Sequence, residues 1–158
     1  MSNSTAVVPN VTIPPWFNRT ITLLLRTPGI QRMLGSTLAL ITVTGRTTGR
    51  RYTTPVTYYR DGNTVLFVTK RFRKWWRNMI ANPEVDLRLA GKRVTGEAEV
   101  FAGDMRQLPV FIEFLEHRRR DARAYGITFE ADGRVNERDA RAAMPELVVV
   151  KIALVDPD

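Results

Sequence analysis

The chain has 158 residues, 44% of them apolar and 25% charged, a balance typical of one folded domain. Lys and Arg number 24 and Asp and Glu 16, so the formal charge of +8 favours an anionic partner: a ligand, a nucleic acid or an acidic membrane surface. With no cysteine and one histidine, His117, the sequence excludes disulfides, iron–sulfur clusters, thiolate zinc sites, a cysteine nucleophile and a multi-histidine metal site within one chain.

The first part of the chain divides into two segments. Residues 1–15 are polar, contain three prolines and are interpreted as a flexible arm, which leaves a single domain over residues 16–158. Residues 16–34 are apolar and basic and are interrupted by Pro28-Gly29, which indicates two short helical pieces. These either pack on the core or form a surface segment that touches a membrane or closes over a pocket. Without a secretory signal pattern, a cytoplasmic location is the expectation, with membrane association through this segment as an alternative.

From residue 38 the pattern becomes typical of strands. A β-branched run is followed by an alternating segment rich in Thr and Tyr, then by Asp61-Gly62, a strong hairpin signal. Pro55 cannot donate a ladder hydrogen bond, so it indicates an edge strand or a bulge. The strands predicted here span residues 38–44, 51–60 and 64–69.

Helices and strands are mixed in the rest of the chain. Apolar residues at helical spacing predict a helix over 72–81 and another around 108–115, with Pro109 in its first turn, and Asn136 can cap a third helix that ends near Met144. Tight turns between strands favour an antiparallel sheet, and about six strands with few helices predict an α+β closed or split barrel. The remaining strands are predicted over residues 85–89, 94–101 and 146–154.

The run from Gly45 to Pro55 is the strongest candidate for a binding site. Two glycines bracket a turn between two predicted strands, and such a turn can expose several backbone amides to an anion. Guanidinium groups match the geometry of phosphates and carboxylates, so the turn can hold a polyanionic ligand, although a plain basic hairpin loop is the alternative. The side chains that it offers are those of Arg46, Thr47, Thr48, Arg50, Arg51 and Thr53.

A second basic cluster, residues 70–74, precedes Trp75 and Trp76. A helix there can present cations on one side and indole rings on the other, or it can bury both tryptophans in the core. Binding of nucleic acid by basic and aromatic side chains is a competing interpretation without a recognisable motif. Conventional catalytic patterns are missing: His117 has no Ser or Asp pattern around it, and the glycine turn is not a phosphate-binding P-loop because Arg50 follows it.

Several short motifs occur in an order and spacing that resemble the deazaflavin-dependent nitroreductase family, whose best-known members bind coenzyme F-420. The resemblance covers about residues 38–100 and implies a split β-barrel, here six-stranded and antiparallel with flanking helices. It also implies a deazaflavin cofactor with a phosphate and an oligoglutamate tail, hydride transfer to quinones, nitroaromatics or activated enones, and often a homodimer. The motifs are Thr42-Val-Thr-Gly-Arg-Thr-Thr-Gly-Arg50, Pro55, Arg60-Asp-Gly62, Trp76-x-Asn78 and Ala81-Asn-Pro-Glu-Val85.

The resemblance also assigns cofactor-binding positions. Thr47 stands where the family commonly has lysine, a departure for which Arg50, Arg51 or Tyr52 can compensate. The segment from Lys70 to Trp76 is shorter and more basic than the corresponding loop of the family, which leaves the substrate class open. The matching positions are Arg46, Thr48, Gly49 and Pro55 in the turn, Val68, Thr69 and Lys70 at a strand end along the deazaflavin, and Trp76 and Asn78 in the helix that covers it.

The implied reaction is hydride transfer from C5 of the reduced cofactor to an electron-poor acceptor, with position and electrostatics supplied by the protein. The acceptor can take its proton from water; if a side chain donates it, Tyr125 is the candidate, with a packed aromatic residue as the alternative role. Three other functions are kept as alternatives: an FMN-binding split-barrel reductase, a non-enzymatic module that binds nucleic acid or an acidic surface, and a cofactor carrier without turnover. No metal is predicted, and under the main interpretation no nucleic acid.

Overall fold

Seven strands form one sheet in which every pairing between them is antiparallel, in the order β2-β1-β5-β6-β7-β4-β3. The structure, a computed structural model, describes residues 37–155, so the predictions for residues 1–15 and 16–34 lie outside the described residues. In the described part, no helix is long and apolar enough to cross a membrane. The strands are β1 (Leu38–Thr44), β2 (Arg51–Thr57), β3 (Tyr59–Asp61), β4 (Thr64–Lys70), β5 (Glu84–Leu89), β6 (Lys92–Ala102) and β7 (Leu147–Val155).

The sheet curls around an apolar interior, as the alternating pattern of its strands predicts. One face of every strand except β3 contributes to this core, and β2 approaches β4 without pairing to it, so the barrel is split between them. Pro55 lies on β2, which is an edge strand, as its missing N–H requires. Fully buried side chains of the interior include Ile41, Val65, Phe67, Leu87 and Ile152.

The predicted count of six strands is wrong because residues 51–60 form two strands. β2 leaves the β1 ladder after Thr57, and Tyr58 is buried at the point where the chain crosses over to β3, which pairs with β4. The backbone N–H of Tyr58 donates to the carbonyl of Thr37 at 3.4 Å. The predicted hairpin at Asp61-Gly62 is confirmed, with Gly62 at a φ of +54°.

A layer of helices covers the outer face of β4 and β7. It comprises α2 (Leu108–His117), α3 (Glu137–Ala143) and the 3-10 segments Arg119–Tyr125 and Met144–Glu146. Leu66, Val68 and Val149 alternate with the interior residues of their strands and face this layer, so a second apolar core forms outside the barrel. The predicted cap of α3 is confirmed, because Asn136 Oδ1 accepts a hydrogen bond from the Asp139 amide at 3.1 Å.

The helix predicted over residues 72–81 is shorter than expected. A 3-10 turn at Arg71–Arg73 is followed by Lys74 at a φ of +59°, and the α-helix α1 covers only Arg77–Ala81. The chain here crosses one end of the barrel instead of lying along the sheet, and a left-handed residue interrupts regular helix. Met79 is buried as predicted, whereas Phe72 and Ile80 are exposed.

Candidate functional site

The carboxyl ends of β1 and β4 lie at the same end of the barrel. Four antiparallel pairings connect the two strands through β5, β6 and β7, so they run in the same direction. The β1–β2 turn, residues 45–50, and the segment 70–77 therefore share this end, which we call the basic end. Its cations are Arg46, Arg50, Lys70, Arg71, Arg73, Lys74 and Arg77. Between residues 37 and 155, no carboxylate forms an ion pair with Arg46, Arg50, Arg73 or Lys74.

The turn is closed by backbone hydrogen bonds and keeps two amides free at its tip. The Gly45 amide donates to the Arg50 carbonyl at 2.7 Å, and the Gly49 amide donates to the Gly45 carbonyl at 3.0 Å. Gly49 has a φ of +67°, which explains why glycine stands there. Among the described residues, the amides of Thr47 and Thr48 have no acceptor, and both residues are exposed. Two free amides between arginines are a suitable cradle for a phosphate or carboxylate.

Two side chains support this turn from outside it. Asn78 Oδ1, on α1, accepts a hydrogen bond from the Arg46 amide at 3.1 Å. Tyr52 packs against Gly45 so closely that a Cβ there would lie 2.7 Å from its ring, and the hydroxyl oxygens of Tyr52 and Thr48 are 3.3 Å apart. Both residues belong to the predicted binding set, and the structure brings them to the turn.

Arg51 lies on a different surface from the rest of the set. Its guanidinium pairs with Asp86 on the outer face of the sheet, so part of its charge is neutralised. There it borders a groove of about 740 Å³ on the outer face of β2, β1, β5 and β6, and Thr53 of the predicted binding turn lines the same groove. Pro55, also on β2, pairs with Leu40 and lies away from the turn. Arg51, Thr53 and Pro55 are therefore separated from the anion cradle.

The end of β4 pairs with a neighbouring strand on one side only. β7 pairs with β4 over its whole length, whereas β3 pairs only as far as Leu66. Val68, Thr69 and Lys70 therefore lie on a strand edge near the gap that separates β4 from β2. An edge of this kind can offer backbone groups to a ligand.

Lys70 is a buried cation in this stretch. Its side chain lies on the same face of β4 as Val68, the face that the helices cover. Burial lowers the pKa of Lys70 below the ordinary lysine value because the ammonium loses hydration, and the nearby Arg73 guanidinium lowers it further. A bound anion at this end of the barrel would favour the charged form.

Tyr125 lies in the helical layer and contacts the end of β4. Only 6% of the residue is exposed, its ring packs edge-on against Phe111 at 5.6 Å, and its hydroxyl donates to the Val68 carbonyl at 3.0 Å. Burial raises the pKa of the Tyr125 phenol well above its usual range. The placement matches a packed aromatic residue that supports the strand, and its role as a proton donor stays a prediction.

The two tryptophans are placed differently. Trp76 is buried in the barrel core, and its indole N–H donates to the Arg71 carbonyl at 3.0 Å. Its contact with a cofactor stays a prediction. Trp75, outside the predicted set, is partly buried and stacks on Phe67 with ring centroids 5.9 Å apart. Asn82 was missed as a supporting residue: its side-chain amide donates to the Thr44 carbonyl at 3.4 Å, whereas the sequence names it only within the motif Ala81-Asn-Pro-Glu-Val85.

A protein-family model described as F-420H(2)-dependent quinone reductase matches residues 18–126, which is more than half of the chain. The chain belongs to this family. It is therefore an F-420-dependent oxidoreductase, and coenzyme F-420 is its cofactor. No curated protein is significantly similar to the chain in sequence.

Solved structures share the fold of this family member at low sequence identity. An FAD-binding protein from Mesorhizobium loti is 13% identical, with 80% of this chain and 84% of that chain covered and a TM-score of 0.52. A NimC/NimA family protein from Clostridium acetobutylicum is 16% identical, with 85% and 77% covered and a TM-score of 0.50. An F-420 reductase is 18% identical, with 77% and 88% covered and a lower TM-score of 0.49. The first two similarities support the fold alone.

The residues of the basic end fit the charge of F-420. The cofactor carries a phosphate and a glutamate tail. The amides of Thr47 and Thr48 lie in the chain between Arg46 and Arg50, whose guanidinium groups form no ion pair within residues 37–155. Thr47 stands where lysine is common in the family, and compensation by a neighbouring arginine stays a prediction. The turn thus has both the donors and the charge that an elongated anion requires.

Proposed function

We propose that this family member uses reduced F-420 to reduce a quinone, and that the β1–β2 turn holds the anionic part of the cofactor. The observation that carries the proposal is a pair of amides, those of Thr47 and Thr48, at the same barrel end as the one-sided edge of β4. Within residues 37–155 these amides have no acceptor and the flanking arginines have no ion-pair partner. When bound in its reduced form, F-420 supplies a hydride from C5 to an electron-poor acceptor.

The turn and β4 have separate tasks in this proposal. Arg46, Arg50 and the two amides bind phosphate or carboxylate oxygens, while Asn78 keeps the turn in the shape that directs those amides outward. Backbone N–H groups at the end of β4 that face away from β7, on Val68 and Lys70, favour negative charge on the pyrimidine side of the deazaflavin. The Lys70 ammonium adds positive charge to the same region.

Tyr125 acts as a positioning residue in this proposal. Its hydroxyl proton is shared with the Val68 carbonyl, so it restrains the strand edge along which the deazaflavin is expected. Reduction of a quinone to a quinol consumes a hydride and one further proton, which water can supply. If the Tyr125 hydroxyl also donates that proton, removing the hydroxyl should change the kinetics differently from the loss of positioning alone.

The test is anaerobic turnover of reduced F-420, followed by absorbance, with menadione and separately with a nitroaromatic as acceptor. We expect protein-dependent oxidation with menadione, no turnover when reduced FMN replaces F-420, and slower oxidation with the nitroaromatic. Tight binding of F-420 without turnover of either acceptor would instead indicate a cofactor carrier and contradict the proposal.

Tyr125→Phe separates positioning from proton donation. Positioning predicts a several-fold rise in the KM for reduced F-420 and a modest change in kcat, with the kcat–pH profile unchanged, because only one hydrogen bond is lost. Proton donation predicts a fall in kcat of about 100-fold or more at unchanged KM. The homodimer and the membrane contact of residues 16–34 stay predictions.

A further inference from the structure

Arg71 connects three parts of the basic end. It directly follows β4, whose ladder to β7 ends at the pair Lys70 and Leu147. Its guanidinium Nη1 donates to the Pro145 carbonyl at 3.2 Å, two residues before β7 begins. Its own carbonyl accepts the hydrogen bond from the indole N–H of Trp76, which is buried in the barrel core. The side chain thus extends the connection between β4 and β7 beyond their last ladder pair.

A glycine leaves room for this side chain. Gly103 directly follows β6, and its amide donates to the Leu147 carbonyl at 2.8 Å. A Cβ on Gly103 would lie 3.0 Å from Arg71 Nη1 and 3.1 Å from the Pro145 carbonyl oxygen, and both distances are shorter than ordinary van der Waals contact. Its φ of +60° also favours glycine. We call the hydrogen bond from Arg71 to Pro145 across Gly103 the Arg71 bridge.

The Arg71 guanidinium has no carboxylate partner in the part of the chain that the structure describes. A carbonyl accepts its hydrogen bond without neutralising the cation, so the charge stays at the basic end. Two roles are compatible with this charge. Arg71 either contacts the anionic cofactor itself or positions the strand edge that contacts it.

The direction of the side chain favours positioning. Pro145 and Gly103 adjoin β7 and β6, which lie on the paired side of β4. The unpaired edge of β4, along which the deazaflavin is expected, faces the other side, toward the gap between β4 and β2. The guanidinium is therefore directed away from the expected cofactor, while the backbone that it restrains leads directly to Lys70.

We propose that Arg71 is a positioning residue for the cofactor site. The Arg71 bridge holds the end of β4, so that Lys70 and the amide groups of the strand edge keep the arrangement that binds F-420. Without the bridge, the first residue after the ladder loses its connection to the start of β7. Ordering a looser strand end on binding costs affinity. The location of the deazaflavin along β4 rests on the proposed function.

Two substitutions break the bridge from opposite sides. Arg71→Met removes the donor, whereas Gly103→Ala keeps the charge and places a methyl group against both donor and acceptor. We expect each variant to bind F-420 about fivefold more weakly in a fluorescence titration. Because both changes remove the same interaction, the double variant should also be only about fivefold weaker than wild type. A loss of about 25-fold, the product of two independent effects, would contradict a shared bridge.

Arg71→Lys keeps a positive charge and a donor for the Pro145 carbonyl, so it should bind F-420 within about twofold of wild type. Direct contact of Arg71 with the cofactor predicts a different pattern. Arg71→Met would then bind weakly and with reduced sensitivity to salt, and Gly103→Ala would bind like wild type. That pattern would overturn the positioning role.

Gly133→Ala is the matched control for the glycine substitution. Gly133 has a φ of +85°, and its carbonyl also accepts a hydrogen bond from an arginine, Arg119, at 2.8 Å. A Cβ there would lie 3.9 Å from Arg119 Nη2, so the variant has left-handed strain without a close contact. The charge control is Arg93→Met, at the β5–β6 turn and therefore at the opposite end of the barrel. Both controls should bind F-420 within about twofold of wild type.

Urea denaturation of the same proteins separates positioning from stability. Left-handed strain should destabilise both glycine variants, but we expect the affinity of the folded protein to fall in Gly103→Ala alone. Equal F-420 affinities for Gly103→Ala and Gly133→Ala would overturn the role of Arg71 while leaving the proposed function intact. Absence of saturable binding by wild type would overturn the proposed function and this role together, so the two failures are distinguishable.

Discussion

The barrel interior and the basic end are built by different means. The interior consists of alternating side chains on regular strands, and each buried residue contacts many others. The basic end consists of a turn and an irregular crossing held by individual hydrogen bonds, such as those from the Arg46 amide to Asn78 and from the Trp76 indole to the Arg71 carbonyl. Stability and cofactor binding therefore depend on different residues. Substitutions in the interior should lower the free energy of unfolding, and substitutions at the basic end should lower the affinity for F-420.

The largest effect on stability is expected from Gly96→Ala in the interior. A Cβ at Gly96 on β6 would lie 2.4 Å from the Ile152 methyl and 2.8 Å from the Ala153 carbonyl oxygen, which belongs to the backbone and cannot move aside cheaply. We expect a loss of about 3 kcal/mol in the free energy of unfolding, measured by urea denaturation. F-420 affinity of the folded fraction should remain unchanged.

Gly62→Ala is the matched control. Gly62 has a φ of +54° and nothing within 4 Å of the position of a Cβ, so the substitution introduces only left-handed strain. We expect a loss of about 1 kcal/mol. A cost for Gly96→Ala no greater than this would mean that the interior is looser than the contacts indicate.

The next effect concerns Asn78, which links α1 to the turn. Asn78→Ala removes the acceptor of the Arg46 amide, so we expect F-420 to bind about tenfold more weakly. The free energy of unfolding should change much less than it does in Gly96→Ala. Asn78→Asp keeps an acceptor oxygen but adds a negative charge beside the anion cradle, so its affinity should fall further and recover partly at high salt. If both variants bind F-420 like wild type, Asn78 does not support the site.

The smallest effect is a pH dependence that arises from Lys70. Because its pKa lies below the ordinary lysine value, the free protein loses this charge at a lower pH than an exposed lysine would. An anion prefers the charged form, so F-420 affinity should be highest below that pKa and fall as the pH rises through it. Lys70→Arg stays charged and should abolish the alkaline fall. Identical alkaline profiles for the two proteins would remove Lys70 from the site.

Regular elements could be predicted from the sequence because their signals are local. The alternation of β1, the Asp61-Gly62 hairpin and the Asn136 cap each depend on a few adjacent residues. The division of residues 51–60 into two strands could not be predicted, because it depends on which neighbours β2 and β3 find across the barrel. The interruption at Lys74 was missed for a similar reason, since the helical spacing of apolar residues does not show that the chain crosses a barrel end.

The candidate site could be predicted in composition but only partly in arrangement. The glycines and arginines of the turn are adjacent in sequence, and they do form a turn with free amides. Whether a neighbouring side chain joins them depends on tertiary contacts. Arg51 pairs with Asp86 on another face, and Tyr125 is buried against Val68. Neither contact has a signal in the local sequence.

The central claim is that the arginines of the β1–β2 turn hold the anionic part of F-420. The most direct test is a fluorescence titration of F-420 with wild type, with Arg46→Gln/Arg50→Gln and with the opposite-end control Lys92→Gln/Arg93→Gln. We expect saturable binding by wild type and the control, and a loss of about 100-fold or more in the turn variant, since each of the two charged hydrogen bonds contributes about 1.5 kcal/mol or more. Equal affinity in all three proteins, or no saturable binding by wild type, would contradict the account.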